Sequence, residues 1–367
     1  MRVRDFIQII HQLAPPDLAM EWDNSGLQVG SLTSEVKKIG LALDATSQTV
    51  SEALDSGCNL LLTHHPLIFK PLKNISTNTM NGEIIRRALA GGLSIFAAHT
   101  NWDSVSQGVA GALADLLELE DRRPLEPAAR DFFKLVIYVP AGYEAEVKKA
   151  VFEAGAGTIG DYDRCWFSAS GEGGFRVPPD GAPFIGQPGQ EARTRESRLE
   201  VIVPKGLADR AVLAVLKSHP YSEPAFELYP VKTYARDHGA GLIGSWPSGR
   251  DILAECRARL GLGGFKWAGP EPGRVKTVAL LPGSGGSYMN LAKSQGAEVL
   301  ITGDVGYHQA LEAEHLGITI LDLGHYETEW PGVVRLKNLL AEEFEKRNLA
   351  VECRLLTQER PWHYDCN

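Results

Sequence analysis

The sequence predicts an α/β protein with a discontinuous two-lobed α/β body and an inserted ferredoxin-like domain. Short apolar runs alternate with amphipathic helical patterns in the first third of the chain, and the same alternation returns in the last third. Strands that alternate with helices are typical of parallel sheets covered by helices. The middle third instead contains two strand–helix–strand patterns, and paired units of this kind form ferredoxin-like domains.

The first lobe is assigned to residues 1–127. Its N-terminal segment has apolar residues at helical spacing and reaches a Pro-Pro pair, where a short amphipathic helix is expected to end. Apolar runs at 39–46, 59–65 and 93–100 predict strands. The segments between them are amphipathic and end in glycine, as helices often do. This order of elements predicts a parallel sheet.

The second lobe, residues 238–367, repeats the pattern. Strands are expected at 275–283, 297–304 and 318–325, with a helix after each. The final helix is expected to begin with Pro331 in its first turn, where the missing N–H of proline costs nothing.

Residues 128–237 are expected to form the inserted domain. The strands at 134–140 and 197–204 are each followed by a helix and a further strand. The flanking segments, 121–131 and 233–241, are polar and punctuated by glycine and proline, as borders between domains are.

Composition limits the function. The 367-residue chain has a net charge of −9 and a pI of about 5.6, and it contains no block of basic residues. Nucleic-acid binding through a broad cationic face is therefore disfavoured, although a pocket for a nucleotide or another small molecule is compatible with this charge. Five scattered cysteines without a Cys-x-x-Cys pair favour a reducing compartment. No apolar run approaches the roughly 20 residues of a membrane span, so we expect a cytoplasmic protein.

Two adjacent histidines, His64 and His65, end the predicted strand that begins at residue 59. Ligands of open α/β sheets bind at the carboxyl ends of parallel strands. Adjacent side chains on an extended chain point in opposite directions. The pair therefore suits two neighbouring metal ions, or one ligand and one residue packed in the core.

Two further strand ends supply histidines and carboxylates. Asp103 follows the third strand and is either a ligand or a residue that caps a helix, with His99 as a spare candidate in the same loop. His325 ends another strand, and Glu329 lies four residues later, on the same face if the chain is helical there. The alternative is a solvated glutamate beside a histidine that is satisfied within the fold.

The coincidence of three such strand ends favours a metal site over the separate alternatives. Three histidines and two carboxylates cannot saturate two divalent ions without sharing. A bridging carboxylate and open coordination positions are therefore expected, as in a catalytic site. Mixed imidazole and carboxylate ligands suit zinc first, with manganese, iron or cobalt as alternatives.

Three other features of the sequence are candidates for roles near this site. Asp304 and His308 are expected either to orient a ligand histidine or to act as general acid and base; the alternative is a capping aspartate and an exposed histidine. The glycine-rich turn 282–287 precedes a helix and is either a phosphate cradle or a tight turn. Asp23 or Asn24 is expected to line the pocket, or to cap a turn.

Five separated segments carry a resemblance to a known family. They are EWDNSGLQVG (21–30), LTHHPLIF (62–69), HTNWDS (99–104), ITGDVGYHQALEA (301–313) and GHYETE (324–329). On these segments the sequence resembles the Ngg-interacting-factor-three-like family, whose members are often labelled GTP cyclohydrolase 1 type 2 homologs. The resemblance implies a dinuclear metal centre whose ligands are His64, His65, Asp103, His325 and Glu329.

The resemblance also implies a toroidal homohexamer with its metal sites facing the interior. Some family members carry an insert that resembles the PII and CutA proteins, and the segment His219–Pro224 matches that insert. Trp102 stands where smaller apolar residues are usual in the family, and it is expected to narrow the pocket.

Two functions are compatible with these observations. The first is a metal-dependent hydrolase that acts on a nucleotide or another heterocycle, with His99 or His308 moving protons. Hydrolysis of the guanine ring of GTP is the version that the family label implies. The alternative is a non-catalytic metal-binding scaffold, regulator or metal sensor in a ring-shaped oligomer.

Overall fold

The computed structural model describes residues 1–160, 162–181 and 183–357. The chain forms two compact units by its internal contacts: Met1–Ala128 together with Ala235–Asn367, and Ala129–Tyr234. Both contain helices and strands, so the mixed α/β class that the sequence predicts is confirmed. Among the described residues, none of the helices combines the length and the apolar character needed to cross a bilayer.

The elements are given in chain order. The first lobe contains α1 (Val3–Leu13), β1 (Gly26–Val29), β2 (Lys38–Ala42), α2 (Ser47–Asp55), β3 (Leu60–Thr63), α3 (Met80–Ala90), β4 (Ser94–Ala97), α4 (Thr100–Asp103) and α5 (Val109–Leu116). The middle of the chain contains β5 (Glu120–Pro140), α6 (Glu144–Glu153), β6 (Phe167–Arg176), β7 (Glu191–Pro204), α7 (Ala208–Ser218) and β8 (Phe226–Ser245). The second lobe contains α8 (Ile252–Leu260), β9 (Lys266–Ala268), β10 (Thr277–Leu280), α9 (Met289–Ser294), β11 (Val299–Thr302), α10 (Tyr307–Leu316), β12 (Thr319–Asp322), α11 (His325–Lys346) and β13 (Glu352–Leu355).

The sheet of the first lobe has the strand order β1–β4–β3–β2–β13. Strands β4, β3, β2 and β13 are parallel, and β1 is antiparallel to β4. Every residue of β3 and β4 is buried, as expected for strands covered on both faces. The carboxyl ends of β2, β3 and β4 therefore lie at one edge of the sheet.

Local sequence sets where the helices of this lobe begin. The side chain of Thr46 accepts a hydrogen bond from the Thr49 amide at the start of α2, and Thr79 does the same for Gly82 at the start of α3. Such caps satisfy amides that the first helical turn leaves without a partner. On α1 the apolar face is buried, and the ring of Phe6 contacts Phe96 edge-on with centroids 5.5 Å apart.

In the second lobe, β10, β11 and β12 are parallel and adjacent, with β8 and β9 antiparallel at the two sides. Their carboxyl ends also lie at one edge. The two lobes belong to the same compact unit. The Trp102 Nε1–H donates to the Gly332 carbonyl across 3.3 Å and so ties α4 to α11. A side chain at position 332 would collide with Val109, so glycine permits the close approach of α11 and α5.

The last helix begins earlier than the sequence predicts. Helix α11 starts at His325, and Pro331 lies inside it rather than in its first turn. Gly324 adopts a φ of +96°, which turns the chain out of β12 into the helix. The Thr328 amide and hydroxyl both donate to the Gly324 carbonyl. His325 and Glu329 are therefore both helical and, four residues apart, lie on the same face of α11.

The segments 121–131 and 233–241, predicted as borders between domains, contain the boundaries between the two compact units, and they belong to the long strands β5 and β8. Many of their side chains face solvent, so the polar composition reflects exposed strand rather than loop. The unit Ala129–Tyr234 has the predicted element order, strand–helix–strand–strand–helix–strand. Within it β7 pairs antiparallel with both β5 and β6, and alternate residues of the strands pack on α6 and α7.

The histidine of the His219–Pro224 segment has a structural role in this unit. Its Nε2–H donates to the Tyr138 carbonyl across 3.0 Å, and its Nδ1 accepts the Tyr221 amide across 3.1 Å. Burial lowers the pKa of His219. Both ring nitrogens are thus used to hold the end of α7 against β5.

Candidate metal centre

The carboxyl-end edges of the two sheets meet at a group of histidines and carboxylates. His64 and His65 directly follow β3, and Asp103 ends the short helix after β4. His325 and Glu329 come from the first two turns of α11, which follows β12. We call these five residues, together with His99, the cluster.

The tightest part of the cluster joins the two lobes. Glu329 Oε2 lies 3.0 Å from His65 Nε2 and 3.1 Å from His325 Nε2. The two ring nitrogens are 3.3 Å apart. One atom from each of these three side chains therefore faces the same small volume, an arrangement that could hold a metal ion.

His64 defines the other side of the cluster. Its Nε2 lies 3.4 Å from Asp103 Oδ1 and 3.8 Å from Glu329 Oε1. The two oxygens of Glu329 thus face different histidines. His64, His65 and His99 also offer ring nitrogens that lie within 4.8 Å of one another. His65 and Glu329 each belong to both sides.

Each histidine of the cluster has its Nδ1 fixed by a hydrogen-bond acceptor. The pairs are His64 with the Ala98 carbonyl (2.9 Å), His65 with Asp44 (2.9 Å), His99 with Asp23 (2.8 Å) and His325 with Asp304 (2.6 Å). A proton on Nδ1 leaves the lone pair of the neutral ring on Nε2. Carboxylate or carbonyl partners at the far nitrogen are the usual support of histidines that bind metals.

Two atoms of the cluster fit a bound cation. His64 Nε2 and Glu329 Oε2 are buried and have no hydrogen-bond partner among the described residues. Glu329 Oε2 is close to two ring nitrogens, yet the geometry is not that of hydrogen bonds. Buried polar atoms are nearly always paired, so two unpaired ones indicate a missing partner. Together with the neighbouring imidazoles, these two atoms form the kind of donor set that binds a divalent metal.

The pKa values in the cluster reflect its buried opposite charges. Burial alone would lower the pKa of His65, but Asp44 and Glu329 outweigh it and raise this pKa to about 11. Burial also opposes the shift of His325, whose pKa Glu329 and Asp304 raise to about 9. Without metal these rings hold protons, and a metal ion must displace the protons to bind.

The remaining two carboxylates of the cluster differ from each other. The pKa of Glu329 lies well below its usual range, because His64 and His325 outweigh the effect of burial. The pKa of Asp103 is raised, since burial exceeds the attraction of His64 and the Glu329 charge repels a second anion. A buried carboxylate and a partly exposed one on the same side of His64 favour a partner with more than one positive charge.

The other residues singled out in the sequence lie in different places. His99 lies against His64 and His65, so it is a candidate ligand as well as a candidate proton carrier. Asp304 contacts His325, as expected of a residue that orients a ligand. His308 is exposed at the start of α10, and its ring lies beside Tyr307. Among the described residues, it belongs to neither of the two groups of side chains that could hold a metal ion.

Two supporting groups were not identified from the sequence. Asp44 lies just after β2, at the same sheet edge as His64, but the strand predicted over 39–46 places it inside the strand and hides this signal. The Ala98 carbonyl carries no signal, because every residue has one. Trp102 does not narrow the pocket: its side chain is buried in the core of the first lobe.

The glycine-rich turn 282–287 packs tightly against the cluster. Gly283 has a φ of +67°, and a side chain there would overlap Glu329 Oε1. The Gly283 amide donates to Thr328 Oγ1 and the Gly285 amide to Thr302 Oγ1, at 3.0 and 2.7 Å. These amides are therefore engaged within the protein, which favours the tight-turn interpretation over a phosphate cradle.

Sequence and structure comparisons relate this chain to one known family. The profile of the Duf34/NIF3 (NGG1p interacting factor 3) family matches residues 1–361. A protein from Bacillus subtilis (strain 168) named GTP cyclohydrolase 1 type 2 homolog is 38% identical over 328 residues, 88% of each chain. A Mycobacterium leprae (strain TN) protein of the same name is 35% identical over 372 residues, 99% of this chain and 95% of its own. The crystal structure of a Bacillus cereus protein related to NIF3 covers 99% of both chains with a TM-score of 0.80 and 36% identity. The chain therefore belongs to the Duf34/NIF3 family.

Proposed function

We propose that the cluster binds two divalent metal ions and that the protein is a metal-dependent hydrolase of a nucleotide or another heterocycle. The ligands in this proposal are His64, His65, Asp103, His325 and Glu329, with His99 completing the His64 side. Zinc suits this mixture of imidazole and carboxylate best, and manganese, iron or cobalt suit it as well.

The observation that carries the proposal is that the two carboxylate oxygens of Glu329 face different histidines. Oε1 faces His64 while Oε2 faces His65 and His325. A carboxylate in this position can serve two ions at once. The fixed Nδ1 atoms support the same conclusion, because they direct every Nε2 inward.

Divalent ions supply Lewis acidity, which makes water a better nucleophile and stabilises negative charge on oxygen. The chain's own residues contribute orientation. Asp44 and Asp304 hold His65 and His325, and Asp23 holds His99. His308 is exposed and belongs to neither ligand group, so the proposal gives it no part in proton transfer.

The substrate class is proposed from the relatives. Those described above are named GTP cyclohydrolase 1 type 2 homolog, which points to a purine nucleotide or a related ring. We also propose a ring-shaped homohexamer, on the family resemblance, and light scattering of the purified protein tests that size.

Elemental analysis of the purified protein tests the metal site. The wild type is compared with the double variant His64→Ala/Glu329→Ala and with His308→Ala, a control that removes an exposed histidine outside the ligand groups. We expect about two metal ions per chain in the wild type and the control, and a loss of both in the double variant. Absence of metal from the wild type would refute the proposal.

The same samples are then incubated with GTP and a panel of other nucleotides. Turnover that requires the metal and is absent from the double variant supports a hydrolase. Two ions per chain without turnover on any substrate would instead favour a metal-binding scaffold or sensor.

A further inference from the structure

Two large aromatic side chains are exposed beside the cluster. Trp22 is 57% exposed and Phe69 is 48% exposed. Their ring centroids are 5.8 Å apart, with an angle of 58° between the planes. Both rings also approach His99, with centroid distances of 6.0 Å for Trp22 and 6.5 Å for Phe69.

Hydrogen bonds fix the loop of Trp22 to the loop of Phe69. Asn24 Nδ2 donates to the Ile68 carbonyl across 2.6 Å, and the Ile68 amide donates to Gln28 Oε1 across 3.2 Å. The two loops that carry the rings are therefore held together by hydrogen bonds between side chains and backbone, as well as by the contact between the rings.

A second set of hydrogen bonds fixes the loop of Trp22 to the cluster. Asp23 has a fully buried side chain, and its Oδ1 contacts His99 Nδ1 at 2.8 Å. Its Oδ2 accepts the amide and the hydroxyl of Thr100 at 3.1 and 2.6 Å. The position of the aromatic pair is thus tied to the position of His99.

Exposure of two large aromatic rings to water is unfavourable for the free protein. Apolar surface of this kind is commonly reserved for a binding partner or ligand, and ligand sites combine aromatic walls with a few fixed polar groups. The side chain of Phe69 has no polar atom, so it can recognise a ligand only by apolar contact and stacking. Every nucleobase offers a flat face for such stacking.

We propose that Trp22 and Phe69 form a stacking subsite for a planar heterocyclic ring, which they hold directly beside the cluster. This inference rests on the function proposed above for that cluster. His99 links the two sites, because its ring contacts both aromatics and lies within the ligand group of His64 and His65. The ring of the substrate, rather than a distant phosphate chain, then lies next to the metals.

This placement of the ring predicts which bond of the substrate is hydrolysed. With the heterocycle held one ring away from His99, the hydrolysed bond belongs to the heterocycle or to a substituent attached to it. Hydrolysis of a terminal phosphate is not expected in this geometry.

Calorimetric titration with guanosine, adenosine and inorganic triphosphate tests the subsite. The variant Trp22→Leu/Phe69→Leu keeps apolar bulk but removes both rings, whereas Trp22→Phe/Phe69→Tyr keeps two rings. The control Trp166→Leu/Phe167→Leu removes an exposed aromatic pair from the other unit, where the rings are 49% and 61% exposed. Each protein is measured with metal and after chelation.

We expect at least one nucleoside to bind the wild type and to bind the leucine variant roughly tenfold more weakly. The aromatic variant and the control should bind it nearly as the wild type does. Triphosphate binding should not depend on Trp22 or Phe69. The difference between variants should persist after chelation, because it arises at the rings.

Several results would overturn the subsite. These are failure of both nucleosides to bind the wild type, equal affinity in the leucine variant, or loss of metal from that variant at saturating metal. A change of oligomer size with unchanged affinity would instead identify the aromatic pair as a contact between copies of the chain. If the wild type carries no metal but its nucleoside binding requires the pair, the proposed function fails while the subsite stands.

Discussion

Single residues outside the ligand set are expected to control metal affinity. Asp304 contacts His325 Nδ1, and its φ is +54°, a conformation that asparagine also tolerates. Asp304→Asn should keep the backbone and an oxygen acceptor but remove the charge. We expect metal affinity to fall by about 10- to 100-fold, with the number of ions at saturation unchanged.

Competition with a chelator measures this affinity. Asp121→Asn is the matched control, since Asp121 has a φ of +47° and contacts Ser245, outside the cluster. Equal affinities for the Asp304 variant and the control would show that the contact with His325 does not orient a ligand.

The histidines of the cluster predict how metal binding depends on pH. Carboxylate contacts raise the pKa of His65 to about 11 and that of His325 to about 9, so both rings are protonated at neutral pH in the metal-free protein. Metal binding must then release protons, and affinity should rise as pH increases towards 9 and fall as pH decreases.

Calorimetry at pH 7.5 in two buffers of different ionisation enthalpy measures the released protons. In Asp44→Asn, which keeps every proposed ligand, the pKa of His65 should fall and fewer protons should be released. A binding enthalpy that does not depend on the buffer would contradict this assignment.

The candidate site was partly visible at the residue scale because its ligands follow strands. His64, His65 and His325 each end an apolar run, and this position is readable from the sequence. The role of His99 was less visible, since its placement among the ligands depends on how the chain turns between β4 and α4. Distances between side chains of different loops are a product of packing, which local patterns do not contain.

At the scale of elements, the turn after β10 is expected to be sensitive to a single methyl group. Gly283→Ala would place a carbon against Glu329 Oε1 and would also require a φ of +67°. Gly317→Ala is the control, because Gly317 has a φ of +63° at the end of α10 and open space around it.

Both variants should lose about 1–2 kcal/mol from backbone strain. Only Gly283→Ala should also lose metal, because it displaces the carboxylate that faces both sides of the cluster. Denaturant unfolding and elemental analysis separate these effects. Full metal content in Gly283→Ala would show that Glu329 moves without consequence for the site.

The elements show where local patterns succeed and where they fail. Buried parallel strands such as β3 and β11 stand out as apolar runs between helical patterns. Strands β5 and β8 extend well beyond their apolar parts. Their exposed ends were not predicted, because exposed strand residues have the same composition as loops. Pro331 suggested a helix start, but the turn at Gly324 and the Thr328 bonds begin α11 two turns earlier.

At the scale of the whole molecule, the cluster depends on packing of distant parts of the chain. The facing nitrogens of His65 and His325 belong to residues 260 positions apart. The sequence indicated both strand ends, and the family resemblance indicated that they share a site. The physical reason that they meet is the joining of both lobes in one compact unit, in which α11 follows β12 yet packs on the first lobe.

This organisation predicts that the cluster survives removal of the unit Ala129–Tyr234. All its ligands, and the residues that orient them, lie in the other unit. The ends of the deletion are close together, because the backbones of Glu126 and Gly239 are in contact. A short Gly/Ser linker in place of residues 129–234 should therefore close the gap at a small entropic cost.

We expect the shortened protein to fold around the remaining hydrophobic cores and to bind the same number of metal ions per chain as the full chain. Elemental analysis after chelation and reloading measures this, and circular dichroism verifies folding. Asp44→Ala should weaken metal binding equally in the shortened protein and in the full chain, because the contact of Asp44 with His65 lies outside the removed unit. A folded but metal-free shortened protein would mean that the removed unit is required for the site, and it would exclude a self-sufficient centre in the two lobes.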